Sequence, residues 1–125
     1  MEIKNGVDII SVERVEKSLK SQRFIDTVFA KSEQEFLFVD DNKIQSAAAN
    51  FAGKEAFSKA IGTGISGFKL SEVAILRDEK GAPYIELSGD AKKVAEKLGF
   101  ESFSISISHD MGMAIAFIVA ICNKN

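Results

Sequence analysis

The segment NFAGKEAFSKAIGTGI, residues 50–65, decides how this chain of 125 residues folds. Between residues 51 and 61 its apolar and small side chains recur at the 3.6-residue period, which predicts one short helix with an apolar face. Glu55 and Lys59 are four residues apart and project as neighbours from the opposite face. Gly62 and Gly64 then end the helix in a flexible turn.

The Glu55 and Lys59 pair has two interpretations. The commoner one is a solvated salt bridge on a surface helix, because such pairs are frequent and contribute little stability. The other is a site for a metal ion and a phosphate, since one carboxylate and one ammonium stand beside a glycine turn. The remainder of the sequence favours the second interpretation.

The composition predicts one domain spanning residues 1–125, with a hydrophobic content of 46% that is ample for a core. The formal net charge of -2 disfavours a general nucleic-acid binder. The lone Cys122 excludes an internal disulfide and suits a reducing cytoplasm. Residues 1–5 are polar and predict no signal peptide, and the apolar run 113–122 is too short for a membrane helix. We therefore expect a cytoplasmic protein that binds no membrane.

The first half of the chain predicts one strand followed by helices. Residues 3–10 form the strand, and Ser11 caps a helix that begins at Val12. Its outer side carries basic residues at every third position: Arg14, Lys17, Lys20 and Arg23. The spacing of Ser32 and Glu35 is typical of a capping box, which predicts another helix over residues 33–38.

The second half predicts strands at 73–77 and 84–87 around a turn at 78–81, and a helix capped by Asp90 that runs to residue 98. Residues 102–108 alternate between apolar side chains and serines, as in a half-buried strand. Residues 109–112 turn the chain into a final strand, 113–122, which we expect to be buried on both faces. The predicted class is α+β, a mainly antiparallel sheet packed with helices.

Asp8 is the other carboxylate of interest, because it stands between Val7 and Ile9 in the first strand. Strand alternation could simply point it to water, or the charge could serve a metal ion. Asp8 and Glu55 together would form an all-oxygen site for Mg²⁺, which typically takes one or two carboxylates and completes its shell with waters and phosphate oxygens. Lys59 would neutralise the same phosphates. His109 is the only histidine, which excludes a histidine-rich metal site.

Four landmarks occur in order along the chain: GVDII at residues 6–10 with Arg14, FAGKEAFSKA at 51–60 with GTG at 62–64, GAPY at 81–84, and SISH at 106–109. With them the chain resembles the holo-acyl carrier protein synthases, which are short, single-domain 4′-phosphopantetheinyl transferases. The resemblance extends from Gly6 to about Val119. It implies the fold of that family and an assembly of three identical subunits with active sites between them.

The resemblance also implies an activity: transfer of the 4′-phosphopantetheine arm of coenzyme A to a serine of apo-acyl carrier protein in fatty acid synthesis. The reaction releases adenosine 3′,5′-bisphosphate and needs Mg²⁺. The implied metal ligands are Asp8 and Glu55, which are catalytic together with Lys59. The implied contacts to coenzyme A come from Lys59, Lys43, Gly62, Gly64 and His109. The implied contacts to the carrier protein come from Arg14, Lys17, Arg23 and Phe24.

The chain departs from the family pattern in one place. Members often carry an arginine just before the central Phe and a basic pair several residues upstream, and both act on the 3′-phosphate. Here Asn50 and Asp41-Asn42 stand in those neighbourhoods, so Lys43 and Lys54 remain as candidates. We expect a weaker or rearranged 3′-phosphate pocket.

The sequence leaves the proton acceptor and the choice among three functions open. The proton of the attacking serine could pass to Glu55 or to a water beside it, with Glu35 a weaker candidate for orienting that water. The rival functions are a non-catalytic module of the same fold that binds coenzyme A or a carrier protein, and a small regulatory domain without a nucleotide site. Intact Asp8, Glu55 and Lys59 favour the enzyme, because binding alone does not require an aligned pyrophosphate.

Overall fold

The strands of this protein pair antiparallel in two separate sheets. The computed structural model describes residues 1–123, so the last two residues of the predicted domain lie outside it. The strands are β1 (Glu2–Ser11), β2 (Val73–Arg77), β3 (Pro83–Leu87), β4 (Phe100–Asp110) and β5 (Met113–Cys122). The helices are α1 (Val12–Ser18), α2 (Gln22–Val28), α3 (Lys31–Phe38), α4 (Ile44–Ile61) and α5 (Gly89–Lys97), with one 3₁₀ turn at Leu70–Glu72. The predicted α+β class is confirmed.

The larger sheet has the order β1-β5-β4, and β2 and β3 form a separate hairpin. In β5 the even-numbered residues from Ala114 to Cys122 are buried, and the odd-numbered residues are exposed or half-buried. Every second residue of a strand points to the same face, so one face of the sheet is covered and the other is open. The prediction that β5 is buried on both faces is therefore wrong for the single chain.

Helix α4 lies on the covered face of the larger sheet at very short range. A Cβ atom at Gly6 of β1 would lie 2.1 Å from the carbonyl oxygen of Ala56 and 2.7 Å from the backbone nitrogen of Ala60. Only glycine permits that approach, because contacts under about 3 Å cannot be relieved when the neighbour is backbone. Small residues on both elements thus bring the middle of α4 against β1, two residues from Asp8.

Two apolar clusters form the core on either side of α4. One lies among α4, the larger sheet and the hairpin and includes Phe57, Phe68 and Ile118. The other lies beneath α1, α2 and α3 and includes Phe29 and Leu37. Because α4 is covered on nearly its whole circumference, few of its side chains are exposed or half-buried. Glu55 and Lys59 are two of them.

The helical half of the chain differs from the prediction in three ways. Helix α4 begins at Ile44 rather than Phe51, since the good helix former alanine at positions 47–49 extends it without any apolar period. Helix α3 begins at Lys31, and Glu33, not Glu35, accepts the backbone N–H of its N-cap Ala30 at 2.9 Å. The predicted Ser32 and Glu35 capping box is thus wrong. Helix α2, which follows N-cap Ser21, is not predicted by the sequence analysis.

The strand half agrees more closely. Strands β2 and β5 have the predicted bounds, and β3 begins one residue earlier, at Pro83. Helix α5 begins after Ser88, so Asp90 lies in its first turn instead of capping it. Strand β4 is longer than predicted and contains His109 and Asp110, because the turn needs only Met111 and Gly112, both with positive φ.

Candidate active site

Asp8 lies near the end of β1 and faces helix α4. In the sheet register it is opposite Ala116 of β5, and its side chain is 18% exposed. Lys59 Nζ lies 3.1 Å from Asp8 Oδ1 and donates a second hydrogen bond to the Val7 carbonyl oxygen at 3.0 Å. The strand-alternation interpretation, in which Asp8 simply points to water, does not describe this carboxylate.

Lys59 pairs with Asp8 across two elements and not with Glu55 on its own helix. Within residues 1–123 no ion pair of 4.0 Å or less joins Glu55 to Lys59. The commoner interpretation, a surface salt bridge between residues four apart, is therefore wrong for this pair. One face of α4 instead presents a carboxylate and an ammonium toward the end of β1.

The electrostatics of Glu55 reflect its neighbours. Partial burial raises the pKa of the Glu55 carboxyl above its usual range, the charge of Asp8 raises it further, and Lys59 partly opposes both effects. The contribution of Asp8, which is smaller than that of burial, indicates that the two carboxylates lie within range of mutual repulsion. A cation between them would relieve that repulsion.

The donor set fits a hard divalent cation. Asp8 and Glu55 offer carboxylate oxygens only, and in the described part of the chain no group of three or more His, Cys, Asp or Glu side chains is arranged to hold a metal. A site with two carboxylates and open positions suits Mg²⁺, which keeps several waters and accepts phosphate oxygens. Softer metals would require nitrogen or sulfur ligands.

The turn after α4 begins directly beyond Lys59. Gly62 is the C-cap with φ of 83° and donates its N–H to the Lys59 carbonyl oxygen at 3.2 Å, and Gly64 has φ of 63°. These left-handed conformations favour glycine, and the predicted end of the helix at Gly62 is confirmed. Because neither glycine would bring a Cβ within 4 Å of another group, the backbone of this turn is open to a ligand.

Two predicted contacts to coenzyme A lie away from this cluster. Lys43 precedes α4, and twelve residues of helix separate it from Glu55 by about 18 Å. His109 is on β4, two strands from β1, so about 10 Å of sheet separates it from Asp8. Within one chain the structure brings together Asp8, Glu55 and Lys59 and leaves Lys43 and His109 apart.

Lys54, one of the two candidates for the 3′-phosphate, is fully buried. Its ammonium pairs with Glu33 and donates to the carbonyl oxygens of Leu70 at 3.1 Å and Val73 at 2.7 Å. Burial lowers the pKa of Lys54, while the charge of Glu33 opposes the shift. All three donors are occupied, so Lys54 is not available to a ligand.

Glu33 is the centre of a buried polar network that the sequence analysis misses. Its two oxygens accept hydrogen bonds from the Ala30 and Ile75 backbone N–H groups, from Lys54 and from Asn50. In the described residues every buried side-chain nitrogen and oxygen has a partner. A network so complete fixes α3, α4 and β2 relative to one another. The only sequence signal is Glu33 at the start of a helix.

The residues predicted to meet the carrier protein are on the outside of α1 and α2. Arg14, Lys17 and Arg23 are exposed, and Phe24 is half-buried against Phe51 at a ring-centroid distance of 5.9 Å. Arg14 and Phe24 line one small depression. The basic residues do not share a single helix, because α1 ends at Ser18 and Arg23 belongs to α2.

The chain is similar to known proteins in sequence and in structure. Residues 5–117 match the family model described as the 4′-phosphopantetheinyl transferase superfamily. A holo-[acyl-carrier-protein] synthase of Thermoanaerobacter sp. (strain X514) is 40% identical over 97% of this chain and 88% of that protein.

Solved structures share the fold. That of the Helicobacter pylori holo-[acyl-carrier-protein] synthase in complex with coenzyme A has a TM-score of 0.83 and 37% identity, covering 94% of this chain and 99% of that one. A Plasmodium yoelii acyl carrier protein synthase with ADP bound has a TM-score of 0.86 and 30% identity, covering 99% and 100%. Among the described residues, no helix has both the length and the apolarity to span a membrane.

Proposed function

This chain belongs to the 4′-phosphopantetheinyl transferase superfamily, and we propose that it transfers the phosphopantetheine arm of coenzyme A to a serine of apo-acyl carrier protein. The observation that carries the proposal is the convergence of Asp8, Glu55 and Lys59 at the contact of β1 and α4. The relatives are holo-[acyl-carrier-protein] synthases, and one of them is solved with coenzyme A bound. Such a protein acts in fatty acid synthesis in the cytoplasm, and the single Cys122 is compatible with that compartment.

In the proposed reaction the serine oxygen forms a bond to the β-phosphorus of coenzyme A. The bond between that phosphorus and the bridging oxygen breaks, and adenosine 3′,5′-bisphosphate leaves. Bound Mg²⁺ would stabilise the charge that grows on the pyrophosphate oxygens and align the reacting groups. Asp8 and Glu55 are the residues that would hold it.

Other groups near the metal site would neutralise the pyrophosphate and accept the proton of the serine. Lys59, whose ammonium lies beside Asp8, would neutralise the pyrophosphate as a point charge. Glu55, whose carboxyl has a raised pKa, accepts the serine proton either directly or through a water. Glu35 lines a separate depression with Gln22 and Lys31, which does not favour it for orienting that water. Gly62 and Gly64 carry no Cβ and would let the phosphates approach the backbone of the turn, although their own N–H groups already donate to the Lys59 and Ser58 carbonyl oxygens.

The decisive experiment mixes the protein with apo-carrier protein, coenzyme A and Mg²⁺ and measures the intact mass of the carrier. The transferase adds the phosphopantetheine arm to the carrier, and chelation of the metal abolishes the gain. The rival binding module would bind coenzyme A or the carrier in a pull-down but leave the carrier mass unchanged. The regulatory domain would neither bind coenzyme A nor change the carrier.

We propose a homotrimer with active sites between subunits, and the open face of the larger sheet supports it. That face, called the apolar sheet face below, carries six exposed apolar side chains, with exposures from 37% to 65%: Ile3, Val7, Ile9, Met113, Ile115 and Phe117. Contiguous apolar patches on a sheet mark an interface, and a closed ring of three copies would bury each one. It would also bring Lys43 or His109 of one subunit toward the Asp8 cluster of another.

Light scattering of an active preparation should accordingly give three times the 13.6 kDa of one chain. Phe117→Glu should dissociate the assembly, because it places a carboxylate on each of three facing copies. Exposed Tyr84, on the hairpin, gives a matched control, and Tyr84→Glu should leave the mass unchanged. A monomeric mass in an active wild-type preparation would refute the shared site.

Arg14 should dock the carrier protein, whose recognition helix is acidic. Reversal by Arg14→Glu should weaken the apparent affinity for the carrier roughly 3- to 10-fold, since it removes one attraction and adds one repulsion at an exposed site. Affinity for coenzyme A should stay the same, and added salt should weaken the wild-type complex in a similar way. The control is Lys92→Glu on α5, which reverses an exposed charge elsewhere. An unchanged carrier affinity in Arg14→Glu would rule out the docking role.

A further inference from the structure

Two cations flank one exposed aromatic ring outside the Asp8 cluster. Phe36 of α3 is 38% exposed, with Lys43 Nζ at 5.4 Å from its ring centroid and Arg77 Cζ at 5.5 Å. Arg77 is the last residue of β2, and Lys43 precedes α4. Two positive charges from different parts of the chain therefore lie beside a ring on a third element.

Arg77 has no counter-ion there. Among residues 1–123 no carboxylate lies within 4.0 Å of its guanidinium, and Glu33 is already saturated by its other partners. The side chain is half-buried, and burial lowers the pKa of Arg77 against the weaker opposing effect of Glu33. A guanidinium removed from water without an anion is electrostatically unfavourable, and an anionic ligand would compensate it.

The position of the guanidinium is fixed by a rigid support. Nη2 of Arg77 donates to Asn50 Oδ1 at 2.8 Å, and Asn50 is fully buried, with its amide nitrogen donating to Glu33 and to the Ile75 carbonyl oxygen at 2.9 Å each. Nη1 lies 3.4 Å from the carbonyl oxygens of Ile75 and Leu76, at the weak limit of hydrogen bonding. Several guanidinium donors thus remain for a ligand.

Lys43 is easily redirected to the same point. Among residues 1–123 it forms one ion pair, with exposed Asp41 at 3.5 Å, and such surface pairs contribute little. It is also the N-cap of α4, and no side chain caps the first turn of that helix. The dipole of this 18-residue helix adds positive potential beside the ammonium.

We propose that Arg77 and Lys43 bind a phosphate monoester, the 3′-phosphate of coenzyme A, at the edge of the Phe36 ring. A planar guanidinium offers two parallel donors to phosphate oxygens, and the ammonium adds a second charge for the dianion. The proposal rests on the proposed function for the identity of the ligand. It also rests on the proposed trimer, because Lys43 lies about 18 Å from Glu55 within one chain and the pyrophosphate would be held by the Asp8 cluster of a second subunit. It makes Asn50 a support for the phosphate-binding arginine instead of a direct contact.

The test compares coenzyme A with 3′-dephospho-coenzyme A as substrates. For Arg77→Gln the KM for coenzyme A should rise about 10- to 100-fold with kcat nearly unchanged, because a charge-assisted bond to the bound ligand is lost. With the dephospho substrate, wild type and variant should have the same KM. Lys43→Gln should show the same selective rise with a smaller factor. The control Lys92→Gln on α5 should change neither substrate.

Other outcomes decide against the site. An equal rise of KM for both substrates would assign Arg77 a structural role. Unchanged KM values for both substrates would show that Arg77 does not bind the 3′-phosphate. If inorganic phosphate binds wild type but not Arg77→Gln, while coenzyme A and its dephospho form bind equally, the site takes free phosphate and the proposal fails. Should wild type transfer neither substrate, calorimetric binding of the two compounds still tests the site, and only the proposed function is overturned.

Discussion

Asp8→Ala and Glu55→Ala should each reduce phosphopantetheine transfer at least about 100-fold while the protein stays folded. Loss of one of only two protein ligands leaves the metal loosely held, and even the loss of a residue that merely hydrogen-bonds a metal ligand costs about 10- to 100-fold. Neither side chain belongs to the apolar core, and removing one carboxylate relieves its repulsion with the other, so we expect only a small change in the free energy of unfolding. Turnover at saturating Mg²⁺ and thermal unfolding should be measured on the same preparations.

The matched control is Glu96→Ala, which removes an exposed carboxylate from α5 and should keep wild-type turnover. The two site variants should also need far more Mg²⁺ for half-maximal rate. Near-normal activity of either variant at saturating Mg²⁺ would show that the metal assignment is wrong. Loss of activity together with loss of the folded state would leave the assignment without support from that variant, and the isosteric Asp8→Asn and Glu55→Gln would then be used in its place.

Lys59→Ala should lose most of the turnover through the chemical step, about 10- to 150-fold at saturating coenzyme A, because a charged contact to the pyrophosphate disappears. Lys59→Arg should retain partial activity, since the role requires a positive charge and not a proton acceptor. The readout is kcat measured with coenzyme A and Mg²⁺ both saturating.

The same variants separate catalysis from structure. Lys59 also links α4 to the Val7 carbonyl oxygen and to Asp8, so Lys59→Met keeps the aliphatic stem while removing the charge. We expect Lys59→Met to be as inactive as Lys59→Ala. Equal turnover in wild type and Lys59→Ala would show that Lys59 serves only in a structural ion pair.

The sequence predicts the strands well because alternation is a local signal. The serines of β4 and the apolar residues between them give its faces directly, and the glycine after Ile61 gives the end of α4. It predicts the start of α4 poorly, since three consecutive alanines carry no period. The choice of Glu35 over Glu33 as the capping residue fails for a related reason, because both lie at acceptable spacings from a possible cap.

Long-range pairing is what the sequence cannot supply. Lys59 and Glu55 have the spacing of a helical salt bridge, but Lys59 finds Asp8, which lies 51 positions away. Lys54 is a candidate ligand-binding cation in the sequence, but in the structure it is buried and paired with Glu33, 21 positions away. In the same way, the two cations beside Phe36 come from β2 and from the start of α4, while the ring belongs to α3. Such pairs depend on the packing of α4, which the local pattern does not encode.

The assignment of Asp8 and Glu55 as metal ligands is best tested by a crystal structure with coenzyme A and Mn²⁺ in place of Mg²⁺, with the metal located by its anomalous scattering. Mn²⁺ accepts the same oxygen ligands, and its anomalous signal gives its position in the crystal. We expect one peak between the carboxylates of Asp8 and Glu55, with the pyrophosphate beside it and Lys59 moved from Asp8 to the phosphates. A metal bound elsewhere, or coenzyme A bound with Lys59 still on Asp8 and no metal at the two carboxylates, would contradict it.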